Sequence, residues 1–252
     1  MKLDLLAIGG VIVGLATIVA GNSLEGGSVS MLLNLPAALI VIGGTVGAVM
    51  LQTPGSQLRR ALGLIRLAFL SPERSREAVL KKLEQCTRQY RKRGAISLED
   101  QLPREPDEFV RSSLELVAME RGSQHIRAAL TLDLEHRVAS DLAAASVFQS
   151  MGGYAPTIGI LGAVIGLIQV MSNLADPSEL GPGIATAFVA TIYGVGFANL
   201  ILLPLAERLR RRVQAEGDLK LLWVEGLLAM IEGEHPSTLR LRVGVGRTVG
   251  CV

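Results

Sequence analysis

Two apolar stretches of this chain carry side chains that a plain membrane anchor does not need. In Gly152–Leu174, Pro156 is followed at once by Thr157; in Ile184–Ala206, Thr191 stands mid-stretch. A proline inside a helix has no N–H to give. It frees the carbonyl one turn earlier, which water, a hydroxyl or an ion can then use. The ordinary alternative is that each threonine bonds its own helix backbone and the proline only bends the helix. That both features occur in one hairpin favours polar work inside the membrane.

The hairpin lacks a titrating group. From Gly152 to Ala206 there is no lysine, arginine or histidine, and its acids, Asp176 and Glu179, sit in a short central loop. A proton relay normally needs an ionisable group within the membrane. If this chain conducts, a partner must supply that group. Gly162 and Gly166, with Gly159 a turn earlier, and Gly194 and Ala198 give small-xxx-small faces that let helix backbones approach closely.

Other candidates are weaker. Arg91, Lys92 and Arg93, followed by Glu99 and Asp100, form either a charged interaction surface or a solvated helix face. His125, His136 and His235 make no ligand set, and Cys86 and Cys251 match no metal spacing and read as free thiols. The glycines at 244, 246 and 250 have the wrong spacing for a phosphate loop and no strand before them. No nucleophile–base pair is present, so no enzyme is expected and no cofactor is called for. A net charge of +2 gives no argument for nucleic acid.

The elements that must position these residues are read from hydropathy. Four apolar blocks lacking Lys and Arg, about Leu3–Gly21, Met31–Leu51, Gly152–Leu174 and Ile184–Ala206, approach the roughly twenty residues that cross a bilayer. The first is read as a retained span and not a cleaved signal, since no clean cleavage site follows it. All lysines and arginines except Lys2 lie between Arg59 and Arg137 or after Glu207. The positive-inside rule then puts both regions and both termini in the cytoplasm. The expected fold is an all-α integral membrane protein of four transmembrane helices, with a large helical cytoplasmic insertion between spans 2 and 3. Its parts are 1–51, a first helix pair; 52–150, the cytoplasmic region; 151–206, a second pair; and 207–252, a C-terminal helix and tail. Within the insertion, Ser71-Pro72-Glu73 predicts a helix start, Ser97–Asp100 a capping box, and a last long helix runs from about Ser123 into the third span. Nothing alternates with period two over a useful length, so no sheet is expected.

With these residues in view, the hairpin GGYAPTIGILGAVIGLI…GPGIATAFVATIYGVGFANLILLPLAERL and the turn RKRGAISLED resemble the MotA family of flagellar stator subunits, including its sodium-driven relative PomA. The likeness covers nearly the whole chain and departs after Gly233-Glu234-His235-Pro236, where a short basic end replaces the acidic helix often found in that family. The resemblance implies a homopentameric ring in the bacterial inner membrane around two copies of a single-span MotB-like partner, whose membrane aspartate carries the ion. By matching of motifs, Pro156, Thr157, Thr191 and Pro204 belong to the ion path. Arg91 and Glu99 engage the switch-complex protein of the rotor's C-ring, with Asp100 as a helper. Sodium-driven relatives tend to carry threonine where this chain has Ala163. An alanine removes an oxygen that a hard cation would use, so a proton is expected.

Three rivals remain at this point. An ExbB/TolQ-like proton-channel subunit has one span before the cytoplasmic segment, where this chain has two. A substrate transporter would show internal repeats. A non-conducting scaffold would tolerate loss of Pro156 and Thr191 together.

Overall fold

The computed structural model describes residues 2–3, 5–71, 75–100, 102–119, 122–174 and 177–234. They are almost entirely helical and fall into two compact units, Met1–Pro72 with Asp141–Arg212, and Glu73–Ser140 with Val213–Val252.

In the first unit, α1 spans Leu5–Leu24. A 3-10 turn at Val29–Leu32 and two extended residues then lead into a helical stretch that runs through α2 (Leu35–Ala38), a π-helical turn at Leu39–Gly43 and α3 (Gly44–Gln52). Asn34 starts α2, its side chain accepting from the Ala37 N–H at 2.9 Å, and Pro36 sits in the first turn, where a missing N–H costs nothing. After Pro54 comes α4 (Gly55–Phe69). The hairpin is formed by α8 (Ser123–Ser172), which enters this unit at Asp141, and α9 (Pro177–Gly196). A second π-helical turn, Phe197–Leu202, leads into α10 (Leu203–Ile231). Pro204 cannot donate to the Leu200 carbonyl, and the Leu203 N–H reaches back five residues to Ala198, so the wider turn accommodates the proline. Among the described residues, three helical stretches are long and apolar enough to cross a membrane, Val29–Gln52, Ser123–Ser172 and Leu180–Ile231; Ile8–Leu24 is a shorter apolar helix.

The second unit holds α5 (Arg76–Arg93), the short α6 (Ile96–Glu99), a 3-10 turn at Leu102–Arg104, α7 (Glu108–Ala118), and the portions of α8 and α10 outside the first unit. Phe109, Leu83, Leu130, Leu227 and Trp223 form its core. The Trp223 indole donates to the Ser113 hydroxyl at 2.7 Å, which satisfies the one polar atom that this large ring buries.

The helix start read at Ser71-Pro72-Glu73 falls on Pro72 and Glu73, which lie outside the described residues; the described α5 is capped by Ser75, which accepts from the Ala78 N–H. Two local expectations are corrected. Ser97 makes no capping box, because it lies inside α6 and donates back to the Gly94 carbonyl at 2.7 Å; Asp107 does the capping, for α7. A sheet does exist, in its smallest form: β1 (Lys2–Leu3) pairs antiparallel with β2 (Leu70–Ser71). Two residues are too few to leave an alternating pattern. The long helix from Ser123 is found as expected.

Candidate functional site: the α8–α9 hairpin

The seam of the hairpin is built from small residues. A Cβ placed on Gly194 would lie 2.6 Å from the Ala155 carbonyl oxygen and 3.2 Å from the Pro156 Cα. One on Gly159 would lie 2.9 Å from the Ala190 carbonyl, and one on Gly166 would lie 2.8 Å from the Gly183 carbonyl. The obstacles are backbone atoms, which cannot swing aside. Residues 155, 159, 162 and 166 of α8 therefore meet 183, 187, 190 and 194 of α9 at backbone distance. Gly159, Gly162, Gly166 and Gly194 thus pack within this chain.

One flank of that seam is occupied. A Cβ at Gly44 would lie 2.9 Å from Ile158, and Ala37, Val41, Val189 and Ala190 cluster with Tyr193. The Tyr193 hydroxyl donates to the Leu32 carbonyl, and the Asn34 side chain donates to Thr186 at 3.0 Å. Sequence reasoning missed Tyr193, Asn34 and Thr186. Their signal was polar groups among apolar ones, the same signal that singled out Thr191.

The opposite flank carries the candidates. At about 100° per residue, Pro156 and Ala163 lie across the seam from Ile158, and Thr191 lies across it from Tyr193. These three half-buried residues share a face with Ile160, Leu167, Phe188 and Val195, which the single chain leaves exposed, Phe188 by 70%. Thr157 is elsewhere: it is exposed on the side of α8 turned away from α9, and donates to the Tyr154 carbonyl at 2.8 Å. The Thr191 hydroxyl donates to the Ala187 carbonyl at 3.2 Å. Both threonines thus make the bond to their own helix that the ordinary reading requires. Each keeps oxygen lone pairs for a second partner. α8 continues through Pro156, which leaves the Gly152 carbonyl without its helical donor. Pro204 lines a separate groove of about 390 Å³ with Leu6, Gly10 and Val11 of α1.

In the second unit, Arg91, Glu99 and Asp100 are all exposed. Arg91 donates to the Gly233 carbonyl at 3.1 Å, capping the end of α10, and Asp100 pairs with Arg93 at 3.7 Å. No group of His, Cys, Asp and Glu among the described residues could hold a metal ion.

A close-packed helical hairpin in apolar surroundings, with one flank marked by proline and hydroxyl but free of charge, defines a helical membrane protein of the channel-subunit kind. The family described as the MotA/TolQ/ExbB proton channel family matches residues 101–219, and the one described as motility protein A N-terminal matches residues 8–94. Motility protein A of Bacillus subtilis is 31% identical over 242 residues, covering 96% of this chain and 90% of the relative. Chemotaxis protein PomA of Vibrio alginolyticus is 28% identical over 237 residues, covering 94% and 92%. The flagellar MotAB stator complex from Bacillus subtilis matches with a TM-score of 0.84 at 31% identity over 93% of this chain and 92% of that one. The C. jejuni MotAB structure shares the fold, with a TM-score of 0.89 at 22% identity over 99% and 98%. The chain belongs to the motility protein A family, within the MotA/TolQ/ExbB proton channels.

Proposed function

We propose that this chain is a stator subunit of the bacterial flagellar motor, forming with a MotB-type partner a proton channel that couples ion flow to torque on the rotor. The observation that carries the reading is the match to motility protein A along nearly the whole chain, including the N-terminal segment, at 31% identity. That N-terminal segment also argues against an ExbB/TolQ-like role.

The finer reading has four transmembrane helices in the inner membrane with both termini cytoplasmic. Residues 52–150 are the rotor-interacting cytoplasmic region, 151–206 the ion-path pair, and 207–252 a cytoplasmic C-terminal helix and tail. The assembly is a homopentamer around two single-span partners. What supports a partner inside the ring is the absence of any Asp, Glu, Lys, Arg or His deep in the apolar stretches, beside an exposed flank that bears Pro156, Ala163 and Thr191. The partner's aspartate, charged, is held by water and hydroxyls against that flank. Once protonated it loses its charge and slides past apolar neighbours such as Phe188, and the ring turns one step. A charge crossing 100 mV releases roughly 2.3 kcal/mol for this movement. Ala163, which offers no oxygen ligand, supports the proton as the transported ion. Arg91, Glu99 and Asp100, exposed on the cytoplasmic unit, would deliver the push to the rotor. Arg91 has a second duty at Gly233, so charge reversal at Glu99 is the cleaner probe of that surface.

The test is torque in cells lacking their own stators, measured on tethered beads. Pro156→Ala should assemble at normal levels and give no rotation. Normal rotation with Pro156→Ala would remove the hairpin from the ion path.

A further inference from the structure

We infer that α4 is an inner-leaflet interfacial helix whose outward stripe, Arg59–Leu62–Arg66, binds the phosphate headgroups of anionic phospholipids. The level at which α4 lies follows from its ties. Only Thr53 and Pro54 separate it from the end of α3 at Gln52. The Gln57 side chain donates to the Ala143 carbonyl at 2.6 Å, and Arg60 pairs with Asp141 at 2.6 Å, both on the approach of α8 to its apolar stretch. At the other end, Arg208 donates to the Ala68 carbonyl at 2.6 Å, just past the apolar stretch that closes at Ala206, and β2, which follows α4, pairs with Lys2–Leu3 ahead of α1. Ala61, Leu64 and Ala68 are buried against residues of α8 and α10 at this same level. All these ties fall where charged residues first appear beside the apolar helices, so α4 lies across the helix ends at the boundary between hydrocarbon and water.

The opposite face of α4 has the chemistry of that boundary. Arg59, Leu62 and Arg66 fall within about 60° of one another around the helix. Leu62 is 64% exposed, and both arginines are exposed. α4 contains no acid. Arg60 and Arg208 are spent on internal partners, whereas among the described residues Arg59 and Arg66 have none. An exposed leucine between two exposed guanidiniums that have no partner among the described residues is disfavoured in open water. It is favoured at the headgroup level, where the leucine enters the acyl boundary and the guanidiniums take phosphates in bidentate fashion. The occupant is a lipid and not free phosphate, because the leucine needs apolar cover that a dissolved ion does not give.

The test uses the full-length chain, in the assembly with which it purifies, in nanodiscs of mixed phosphatidylglycerol and phosphatidylcholine. Lipids that stay bound on extraction are counted by native mass spectrometry. Wild type should retain phosphatidylglycerol over phosphatidylcholine by about threefold or more. Arg59→Gln with Arg66→Gln should abolish most of that preference at unchanged assembly. Arg59→Lys with Arg66→Lys should keep part of it, and millimolar inorganic phosphate should not compete. An undiminished preference in the glutamine pair overturns the inference. So does loss of the assembly with lipid preference intact, which would make the stripe a contact between copies. Should the pair fail to express, a nitroxide on Leu62→Cys decides: oxygen access exceeding that of a water-soluble relaxant supports the headgroup level, and the reverse overturns it. None of these readouts involves torque or ion flow, so the inference and the stator reading fail separately.

Discussion

Gly194 is the hairpin glycine with the shortest approach to backbone, whereas Gly153, on the same pair of helices, faces open space. A methyl at 194 meets the Ala155 carbonyl at 2.6 Å and the Gly159 Cα at 3.0 Å, all backbone, whereas one at 153 meets nothing within 4 Å. Gly194→Ala should therefore part α9 from the turn that carries Pro156, at about 1–3 kcal/mol. Gly153→Ala should be neutral or slightly stabilising, since alanine is the better helix former. Thermal stability of the purified assembly, followed by size exclusion after heating, checks both. Cys86 gives a second residue-scale prediction. Burial pushes its thiol up to about 11, against a smaller opposing pull from the charge of Lys82. The thiolate is the reactive form, so Cys86 should resist maleimide at pH 8 in the folded protein and react once unfolded, as read by peptide mass spectrometry.

Among elements, the join between α5 and the segment before α7 rests on an asymmetric ion pair. Lys82 and Glu105 are hydrogen-bonded, with Glu105 only 7% exposed and Lys82 38%, its ammonium 5.6 Å from the Trp223 ring. Removing the lysine strands a buried carboxylate; removing the carboxylate leaves an ammonium that still reaches water. Lys82→Met should cost about 2–3 kcal/mol and Glu105→Gln about 1 kcal/mol. Because Trp223 is the only tryptophan, its fluorescence on urea unfolding reports this unit directly. Equal costs would mean that the pair is solvated on both sides. The pair also marks the limit of what sequence discloses. The course of α8 was legible because Ser123–Met151 holds no glycine or proline and the apolar run that follows is long enough to carry Pro156 and its glycines within one helix. The Arg91 contact with Gly233 was not, because it joins residues 142 positions apart. Polar residues in apolar helices flagged the hairpin, but which of them share a flank depends on the side that packs. Only the contacts of Ile158 and Tyr193 separate Thr157 from Pro156, Ala163 and Thr191. The two-residue β ladder and the Ser75 cap are too short or too local to compete with neighbouring serines as signals.

For the whole molecule, the decisive property is a set of apolar helices rich in hydroxyls and freed carbonyls but with no Asp, Glu, Lys, Arg or His deep within them. Hydroxyls and carbonyls can pass a proton along a water chain. They cannot hold one at neutral pH, because no threonine titrates near that range. The chain alone should therefore not carry protons across a bilayer, however completely it assembles. Reconstituted in liposomes with a potassium–valinomycin potential and an internal pH dye, it should acidify the lumen no faster than empty vesicles. Co-reconstitution with a single-span partner should raise the rate, and replacing the partner's membrane aspartate with asparagine should return it to background. The rate should be the same in sodium and in choline buffers at equal potential, as Ala163 offers no oxygen to a metal cation. Flux from the chain alone would place a proton-binding group within these helices, and the division of labour between a charge-free wall and a charge-bearing partner would then be wrong.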